Sequence, residues 1–581
     1  MKTPTPFCVK RYKSLLFAAA IEQIVAVLVV ASDSIISGLI LNEAAVAALT
    51  VVNPIFLTLT FLSMVVTYGT EILFPYEVGK MNLKKANEYF SQSCIVSVIL
   101  GVLFFTLVSL FKDVFFSYMK IDGEVLEYAD TYLSMVKWAY LIAPIADTMG
   151  SMIYVDGDEL ISTISNAYLI IGNIGASITL TFFLGIKGVA MGTLIGYIGS
   201  SLINFCHFFR KNCTLRFAWH FSFKDLLHVS KFSIVDSLVF VLTGIISLFV
   251  QKIILENYGE TFIPVFSVFI TVIELTFVFD CVGSANSPIL SVFRGEDNSK
   301  GIKQIFNSSL KTAIVLGAIL MLIVFFAAPL FPAFYGIETP EVYEMAVKAI
   351  RIGCPSMIAL SLLFVITSYY LSIEKIGLSI FITLLKDCIP TLLCILIFSK
   401  LIGLSGIWLG FALGPWIALA ISILFVKLAY KNQDFPYLIK NHDANIFSWS
   451  FYIEDSEVVK VRDAADKVLT EHNINPKSKN KILVLIEEAL MLIKDKNPGK
   501  KVYAECTIIL EDKIKIVFRD DGEIFDMTDT DCEISSFRGF FVSSLMEHYS
   551  DKANLTTTSY DRNVFRETSC RFNQQNSAGA C

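Results

Sequence analysis

Several ionisable side chains stand inside long apolar stretches of this 581-residue chain. Such groups are expensive in hydrocarbon, so by default they mark an ion or substrate pathway. Asp33 is the first candidate, because it lies about two-thirds along the first apolar stretch. A carboxylate there can bind a cation or a proton and release it when a substrate displaces it. The alternative is a structural carboxylate that is hydrogen-bonded to hydroxyls such as Ser32 and Ser34.

Four further acidic residues are candidates for a substrate cavity. Glu274 and Asp280 are separated by six positions of one apolar stretch. Neighbours on a helix face are three or four residues apart, so these two do not form one bidentate site. Either can meet a cationic substrate. Asp236 and Glu22 complete the set, although Asp236 also fits an end-of-helix pair with Lys231.

Two other groups of opposite charges are interpreted as structural. Lys386 and Asp387 are adjacent, and Lys137 and Asp147 share one apolar stretch. Charges of opposite sign in one segment can neutralise each other, which lowers the cost of placing them in hydrocarbon.

The elements that must carry these residues are membrane-spanning helices. Hydrophobic residues make up 55% of the chain, and charged residues only 17%, where a soluble domain carries about 25%. Apolar stretches of about 20 residues or more, the length of a transmembrane helix, recur up to Tyr430. The predicted spans are 14–40, 46–78, 91–118, 127–155, 162–184, 187–210, 226–256, 261–293, 304–335, 343–371, 376–400 and 403–428. The sequence therefore predicts an all-α polytopic membrane protein of twelve spans.

Basic residues predict the orientation of these spans. They cluster at alternate turns, at Lys10, Arg11, Lys13, Lys80, Lys84, Lys85, Arg210, Lys211, Arg216, Arg294, Lys300, Lys303, Lys427 and Lys431. Because such residues favour the cytoplasmic side, both termini are expected to be cytoplasmic, in a bacterial inner membrane. The acidic turn Asp156-Gly157-Asp158-Glu159 departs from this trend.

Net charge and cysteine spacing narrow the function classes. The net charge of -6 gives no reason to expect a nucleic-acid partner. The 12 cysteines are scattered without the spacing of a metal site, so no metal is predicted.

An internal repeat divides the membrane region into two halves, 1–218 and 219–430. Four glycines of the first half recur in the second at an offset of about 218 residues: Gly185, Gly188, Gly192 and Gly196 match Gly403, Gly406, Gly410 and Gly414. The segment from Gly79 to Asn82 likewise matches the segment from Gly295 to Asn298. Six spans per half predict parallel repeats, an architecture in which secondary transporters bind substrate between the halves.

The first half also resembles the opening of the MATE family (multidrug and toxic compound extrusion). The residues that carry the resemblance are Asp33, Gly38, Pro54, Gly69, Gly79, Asn173, Gly185, Gly188, Gly403 and Gly406, in order along residues 14–430. The resemblance implies two six-helix bundles and a transporter rather than an enzyme. It implies export of small organic, often cationic, compounds driven by sodium or proton entry, with Asp33 and Asn173 in cation coupling.

One position departs from that family pattern. Many prokaryotic members have a carboxylate four positions after the asparagine that Asn173 matches, and here that position is Ser177. Part of the proton-coupling set is therefore absent, and the coupling ion stays open between sodium and a proton.

A different kind of segment follows a predicted linker at 431–450. Residues 451–575 are charged and mixed, with helical periodicity over 457–470 and 476–494 and then two alternating strands joined at Glu511-Asp512. This order resembles the GHKL ATP-binding fold, in particular its anti-sigma-factor kinase branch. The prediction is a soluble cytoplasmic α/β domain.

The GHKL resemblance is partial in the residues that would bind nucleotide. Glu488, Asp520, Gly522, Phe525, Asp526, Gly539 and Asn563 match, with Asp520 expected to accept a hydrogen bond from the adenine amino group. Leu492 replaces the metal-binding asparagine, so catalysis is not expected. Regulatory binding of ATP or ADP, binding of a cytoplasmic protein, and a domain without any ligand remain alternatives.

Two further functions compete with export. Related folds move lipid-linked precursors, so a flippase is one alternative. The other is a membrane sensor whose C-terminal domain sequesters a partner protein.

Overall fold

The computed structural model describes most of the chain. Described residues are 5–41, 43–80, 82–119, 123–210, 213–258, 262–334, 339–431, 433–440, 443–510, 514–523, 525, 539, 542, 545 and 561–566. The side chains of some residues within helices, including Glu22 and Asp236, lie outside this description, as do those of 561–566.

Helices account for nearly all of the described membrane region. Their bounds are α1 Phe7–Ile40, α2 Glu43–Gly79, α3 Leu83–Met119, α4 Gly123–Val155, α5 Glu159–Leu184, α6 Ile186–Phe205, α7 Phe223–Asn257, α8 Ile263–Glu274, α9 Asp280–Gly295, α10 Ser299–Ala327, α11 Leu330–Phe334, α12 Pro340–Gly353, α13 Ser356–Ser372, α14 Ile376–Asp387, α15 Ile389–Ile402 and α16 Leu404–Ala429.

Three long segments of the second half are interrupted. A 3-10 turn, Leu275–Phe279, separates α8 from α9. Pro355 and Pro390 stand at the α12–α13 and α14–α15 breaks, where a residue without an N–H interrupts the helical hydrogen bonds. Within the described residues, seven helical segments are long and apolar enough to cross a membrane, or eight if the α12–α13 pair, bent by 46°, is one span. The structure is thus mostly helical and multi-spanning, and twelve spans stay a prediction.

One end of the helical bundle, here termed the terminal face, contains the start of α1 and the ends of α2, α4, α6, α9, α13 and α16. Ion pairs connect neighbouring turns at this face. Lys85 pairs with Asp225 across the two halves at 2.8 Å, and Arg294 pairs with Glu374 at 2.6 Å. Arg11 of α1 bonds Glu159 of the acidic turn.

The predicted repeat recurs in backbone detail. Gly185 and Gly403, each joining two antiparallel helices, have φ of 59° and 73°, a conformation that favours glycine. Asn82 caps α3 by accepting from Lys85 N, and Asn298 caps α10 by accepting from Gly301 N. Matching sequence positions therefore perform the same structural task in both halves.

Among the described residues, apolar packing joins the two halves near the terminal face. A core cluster at the terminal face includes Tyr12 and Phe74 of the first half and Phe293 and Tyr369 of the second. Towards the opposite end, the described clusters draw on a single half each, for example around Leu133 in the first half. In the described part of the chain the two halves are therefore sealed together near the terminal face.

The C-terminal segment forms a separate α/β unit. Four strands, β1 Ile446–Tyr452, β2 Tyr503–Leu510, β3 Ile514–Asp520 and β4 Asp561–Arg566, form one antiparallel sheet in the order β1-β2-β3-β4. Helices α17 Asp455–Glu471 and α18 Pro476–Asp495 share an apolar core with alternate residues of β2, such as Ala504 and Cys506. The two predicted helices and the hairpin of β2 and β3 agree with the structure.

The segment between the membrane helices and the first strand of the C-terminal unit is shorter than the predicted linker, 431–450. Strand β1 begins inside it, at Ile446. The preceding residues also pack on the bundle, where Leu438 is buried and Lys303 of α10 contacts Asp434 and Asp443. The alternating run from Phe447 to Phe451, Phe-Ser-Trp-Ser-Phe, is a strand signal that the linker prediction did not use.

Candidate functional site

Asp33 lies on α1 and is buried between α4 and α6. Its Oδ2 accepts hydrogen bonds from the Tyr132 hydroxyl at 2.8 Å and from Thr193 Oγ1 at 2.9 Å. Its Oδ1 is buried and has no hydrogen-bond partner among the described residues. Tyr132 and Thr193 therefore fix Oδ2, and Oδ1 is the oxygen at which a proton or a cation can be bound.

Asn173 lies on α5, one helix away from that carboxylate. Its Oδ1 accepts from Ser177 Oγ at 3.0 Å, and its Nδ2 is buried without a partner among the described residues. A β-carbon at Gly192 of α6 would lie 2.0 Å from Ser177 Oγ. Thr193, which bonds Asp33, is the next residue, so α6 connects the two predicted coupling residues through its small side chains.

Asp280 connects the two halves of the molecule. It is the first residue of α9 and is half-buried, and Gln23 Nε2 of α1 donates to its Oδ2 at 3.4 Å. Residues closer to the terminal face on both helices, such as Ala19 and Cys281, belong to the shared core. The Gln23–Asp280 bond is therefore at the inner edge of the sealed region, about 15 Å along α1 from Asp33 at 1.5 Å per residue.

Lys386, on α14 of the second half, is a buried positively charged residue. Its Nζ is 2.9 Å from Asp387 Oδ1 and 3.7 Å from the centre of the Phe364 ring. It is also close enough to Asp280 to interact electrostatically with it. Lys386 thus forms an ion pair with Asp387 and acts on Asp280 only through its electrostatic field, and the three groups have a net charge of about -1 when all are ionised.

Of the other predicted cavity residues, Glu274 does not join this cluster. Glu274 ends α8 and is exposed, on the far side of the 3-10 turn from Asp280, as their six-residue spacing predicted. The side chains of Asp236 and Glu22 lie outside the described residues, so their predicted roles stay predictions.

Sequence reasoning missed three partners of the predicted carboxylates. Tyr132, Thr193 and Gln23 are uncharged, and nothing in their local sequence separates them from other polar residues of the spans. A signal was available for Lys386, since a lysine in an apolar stretch requires a counter-charge. The sequence indicated its neighbour Asp387 but not Asp280.

The acidic turn that departs from the charge trend is neutralised by its surroundings. The ring nitrogens of buried His207 are 2.8 Å from Asp156 Oδ2 and 2.9 Å from Asp158 Oδ2. Burial opposes ionisation of Asp158, but bonds from His207 and from the Ile161 N–H outweigh it and lower the pKa of this carboxyl. Because both nitrogens already bond carboxylates, this group is a structural ion cluster at the terminal face.

The predicted nucleotide residues of the C-terminal unit are only partly available. Gly522 N donates to Asp520 Oδ1 at 2.9 Å, and Asp520 is 2% exposed. Asn497 packs over Gly522, where its Nδ2 would be 2.6 Å from an added β-carbon. Leu492, at the position of the metal-binding asparagine, is part of the apolar core. The residues beside Gly522 thus leave little space for a base.

The remaining residues of that motif are distributed as follows. Glu488 is half-buried on α18, Gly539 is buried, and Asn563 lies on β4 with its side chain outside the described residues. Asp526 also lies outside the described residues. These nucleotide roles stay predictions.

The comparisons with known proteins concern the helical region. A family model described as MatE matches residues 18–182 and 234–402, once in each half. A crystal structure of MATE in complex with MaD5 is 19% identical, with a TM-score of 0.66 over 74% of this chain and 99% of that one. No curated protein matches this chain.

Two further structures are similar in the same region. The Vibrio cholerae MATE transporter VcmN in the bent form is 16% identical, with a TM-score of 0.65 over 73% of this chain and 97% of that one. A MOP superfamily transporter from Pyrococcus furiosus, described by the reverse polarity of its binding pocket, is 19% identical, with a TM-score of 0.63 over 74% and 98%. These likenesses show the fold of the helical region.

Proposed function

The chain belongs to the MatE family, and on that premise we propose that it is a secondary active exporter of small organic, often cationic, compounds driven by sodium or proton entry. The single observation that carries the coupling step is the Asp33 carboxylate. It is buried, and only one of its oxygens accepts hydrogen bonds from described residues. A buried carboxylate with one unsatisfied oxygen binds a cation more readily than it remains empty.

The ligand set at Asp33 fits a proton or a sodium ion. The Tyr132 and Thr193 hydroxyls and the carboxylate are oxygen donors, the type that hard cations prefer. Binding of either ion neutralises Asp33. A cationic substrate that enters the protein weakens the binding of this ion to Asp33. Release of the ion on the cytoplasmic side then couples ion entry to substrate export. Asn173 supports the site from α5.

The packing of the two halves supports alternating access between them. They are sealed at the terminal face, and the Gln23–Asp280 bond is at the inner edge of this seal. We assign the terminal face to the cytoplasm of a bacterial inner membrane, because the basic residues cluster there, with both termini on that side. The conformation described is then closed on its cytoplasmic side.

The second half supplies a site for the organic substrate. Lys386 pairs with Asp387 and acts on Asp280 through its electrostatic field, so the cluster retains a net negative charge that favours a cation. Opening of the seal breaks the Gln23–Asp280 bond and frees Asp280 for a substrate from the cytoplasm. Glu274 is exposed on the other side of the 3-10 turn and adds a further negative charge that attracts a cation.

For the C-terminal unit we propose a regulatory role without catalysis. Leu492 in the apolar core supports this, because magnesium and phosphates then lack the asparagine of the GHKL pattern. ATP or ADP, or a cytoplasmic protein, is the ligand to test.

The experiment that tests export is uptake of fluorescent organic cations into inverted membrane vesicles under an imposed sodium or proton gradient. Transport that needs one gradient names the coupling ion. Folded protein that moves none of a broad dye panel under either gradient contradicts the proposal. Vesicles assayed in parallel with a fluorescent lipid-linked sugar report a flippase.

A further inference from the structure

The second face of the C-terminal sheet is polar and yet buried. Alternate residues of β2 and β3 point away from α17 and α18, among them Glu505, Thr507, Lys515 and Arg519, which are 4%, 0%, 8% and 0% exposed. A small α/β unit standing alone would expose such a face to water. Here the face is covered by the terminal face of the membrane bundle.

The first set of contacts reaches the second half of the transporter. Arg519 forms ion pairs with Glu296, in the turn between α9 and α10, and with Glu505 of its own sheet at 3.1 Å. Its guanidinium is also 4.8 Å from the centre of the Phe293 ring. Lys515 Nζ donates to the carbonyl of Glu296 at 3.0 Å and is 3.3 Å from Asp297. The α9–α10 turn is thus attached to β3.

The second set of contacts reaches the first half. Phe7, which begins α1, stacks on Tyr503 of β2 with ring centres 6.2 Å apart, and its N–H donates to Ser450 Oγ of β1 at 3.3 Å. The Tyr503 hydroxyl donates to the carbonyl of Thr5. Lys10 pairs with Asp521 at the end of β3.

These two sets of contacts involve segments that belong to different halves of the membrane region. The α9–α10 turn belongs to the half that contains Gly295, and the start of α1 belongs to the half that contains Gly79. At the terminal face these two glycines are in van der Waals contact with each other's helices. Opening of this face must separate the two halves, and one rigid sheet cannot follow both.

We propose that the C-terminal domain is a clamp that holds the terminal face of the transporter closed by binding both halves at once. Its partner is this chain's own membrane region, and the sheet face described above is the interface. The inference rests on the proposed function only in taking the two halves as moving parts. The inward-facing state then requires release of the clamp. A ligand of the domain, or loss of the Arg519–Glu296 pair, would release it.

The test measures conformation rather than transport. Cys281 is buried in the shared core at 2% exposure, and a variant that retains it as the single cysteine reports opening through its reaction with a membrane-impermeant maleimide. Full-length protein in liposomes is treated from each side. Arg519→Gln is expected to accelerate labelling from the terminal-face side by about tenfold or more, because it removes a charged hydrogen bond that holds the closed state. Labelling from the other side should slow.

The matched control lies in the same domain. Arg462→Gln removes an exposed pair with Glu487 on α18, away from the interface, and should leave labelling unchanged. A folded Arg519→Gln protein that labels like the parent overturns the clamp. So does equal acceleration by Arg462→Gln.

A second pair keeps the test decisive if Arg519→Gln does not fold. Lys10 and Asp521 are 50% and 31% exposed, so substitutions there are tolerated more easily. Lys10→Glu should accelerate labelling, and addition of Asp521→Lys should restore the parent rate. In protein that keeps its native cysteines, amide hydrogen exchange in Asp280–Gly295 must become faster with Lys10→Glu and return to the parent rate when Asp521→Lys is added. A swap that fails to restore the rate contradicts the clamp, whatever the protein transports, because no substrate or ion gradient enters either measurement.

Discussion

Gly79 and Gly295, which occupy equivalent positions in the two halves, lie against each other at the terminal face, where a β-carbon on Gly295 would be 2.8 Å from the carbonyl carbon of Gly79. The same β-carbon would be 2.5 Å from the Tyr76 carbonyl oxygen, and one on Gly79 would be 2.3 Å from that of Val292. Equivalent positions of the two repeats therefore contact each other where α2 and α9 end. The absence of side chains at both positions lets the two backbones touch.

Gly295→Ala is predicted to destabilise the closed terminal face, because the added methyl group meets backbone atoms that cannot rotate away. Overpacking of this kind costs about 1–3 kcal/mol. The measurement is the thermal unfolding midpoint in detergent. Gly175→Ala is the matched control, since it lies within a helix and an added β-carbon there meets nothing within 4 Å. Equal midpoints for the two variants would contradict the close approach.

Asp33→Asn is predicted to reduce gradient-driven transport to background while the protein still folds. Asparagine can accept the bonds from Tyr132 and Thr193 but carries no charge for a coupling ion. Gradient-dependent dye flux in vesicles is the measurement. Asp130→Asn, at a 45% exposed carboxylate that pairs with Lys112, should transport like the parent. Undiminished coupling in Asp33→Asn would remove this residue from the mechanism.

Lys386→Met is predicted to lower stability strongly, because it leaves partly buried Asp387 without its ion-pair partner and removes a positive charge that acts on Asp280. Breaking a buried pair by removing one partner costs about 3–5 kcal/mol. Lys386→Met combined with Asp387→Leu should recover part of that loss, since only Asp280 is then uncompensated. Thermal midpoints of the three proteins give the result. A single variant as stable as the parent would show that Lys386 is not the counter-charge.

Acidification is predicted to loosen the segment before β1 at Asp443. Burial opposes ionisation of this carboxyl, but hydrogen bonds from Lys303 and Ser299 outweigh it and lower the pKa of Asp443. The stabilisation is therefore present above the unfolded pKa of about 3.9 and is lost as the pH falls through the lower folded value.

The measurement for Asp443 is the difference in thermal midpoint between the parent and Asp443→Asn, followed with pH. It should be present at neutral pH and vanish as the pH falls below about 4. Asp463→Asn, at a 59% exposed carboxylate, should show no such difference. A gap that persists undiminished at low pH would refute the assignment.

The full-length protein is predicted to release no phosphate from magnesium ATP. Leu492 is 2% exposed in the domain core, at the position where the GHKL pattern has a metal-binding asparagine, and its apolar side chain cannot bind a metal ion. Phosphate release is the first measurement, and a shift of the thermal midpoint with ATP or ADP reports binding without hydrolysis. Release that disappears in Asp520→Asn would instead identify a working nucleotide site.

The sequence by itself determined the properties that depend on neighbours along the chain. Apolar runs and basic turns predicted a multi-spanning helical protein. Matched glycines predicted the internal repeat, and the family model matches the chain once in each half. Alternation predicted β2 and β3, and Asp33 was recognisable because one carboxylate in an apolar run requires an explanation. Each of these signals lies within one helix, one turn or one hairpin, except the repeat, which is found by comparing two such segments.

Only the tertiary structure decided which groups these residues meet. The hydroxyls on Asp33 come from residues 99 and 160 positions away, and the carboxylate on Arg519 comes from 223 positions away. Spacing along the chain does not encode such contacts, because helix packing and domain docking bring the partners together. The alternation of β2 and β3 predicted two strands but not what their polar face contacts. Their burial against the bundle follows from where the domain sits, and that depends on the whole fold.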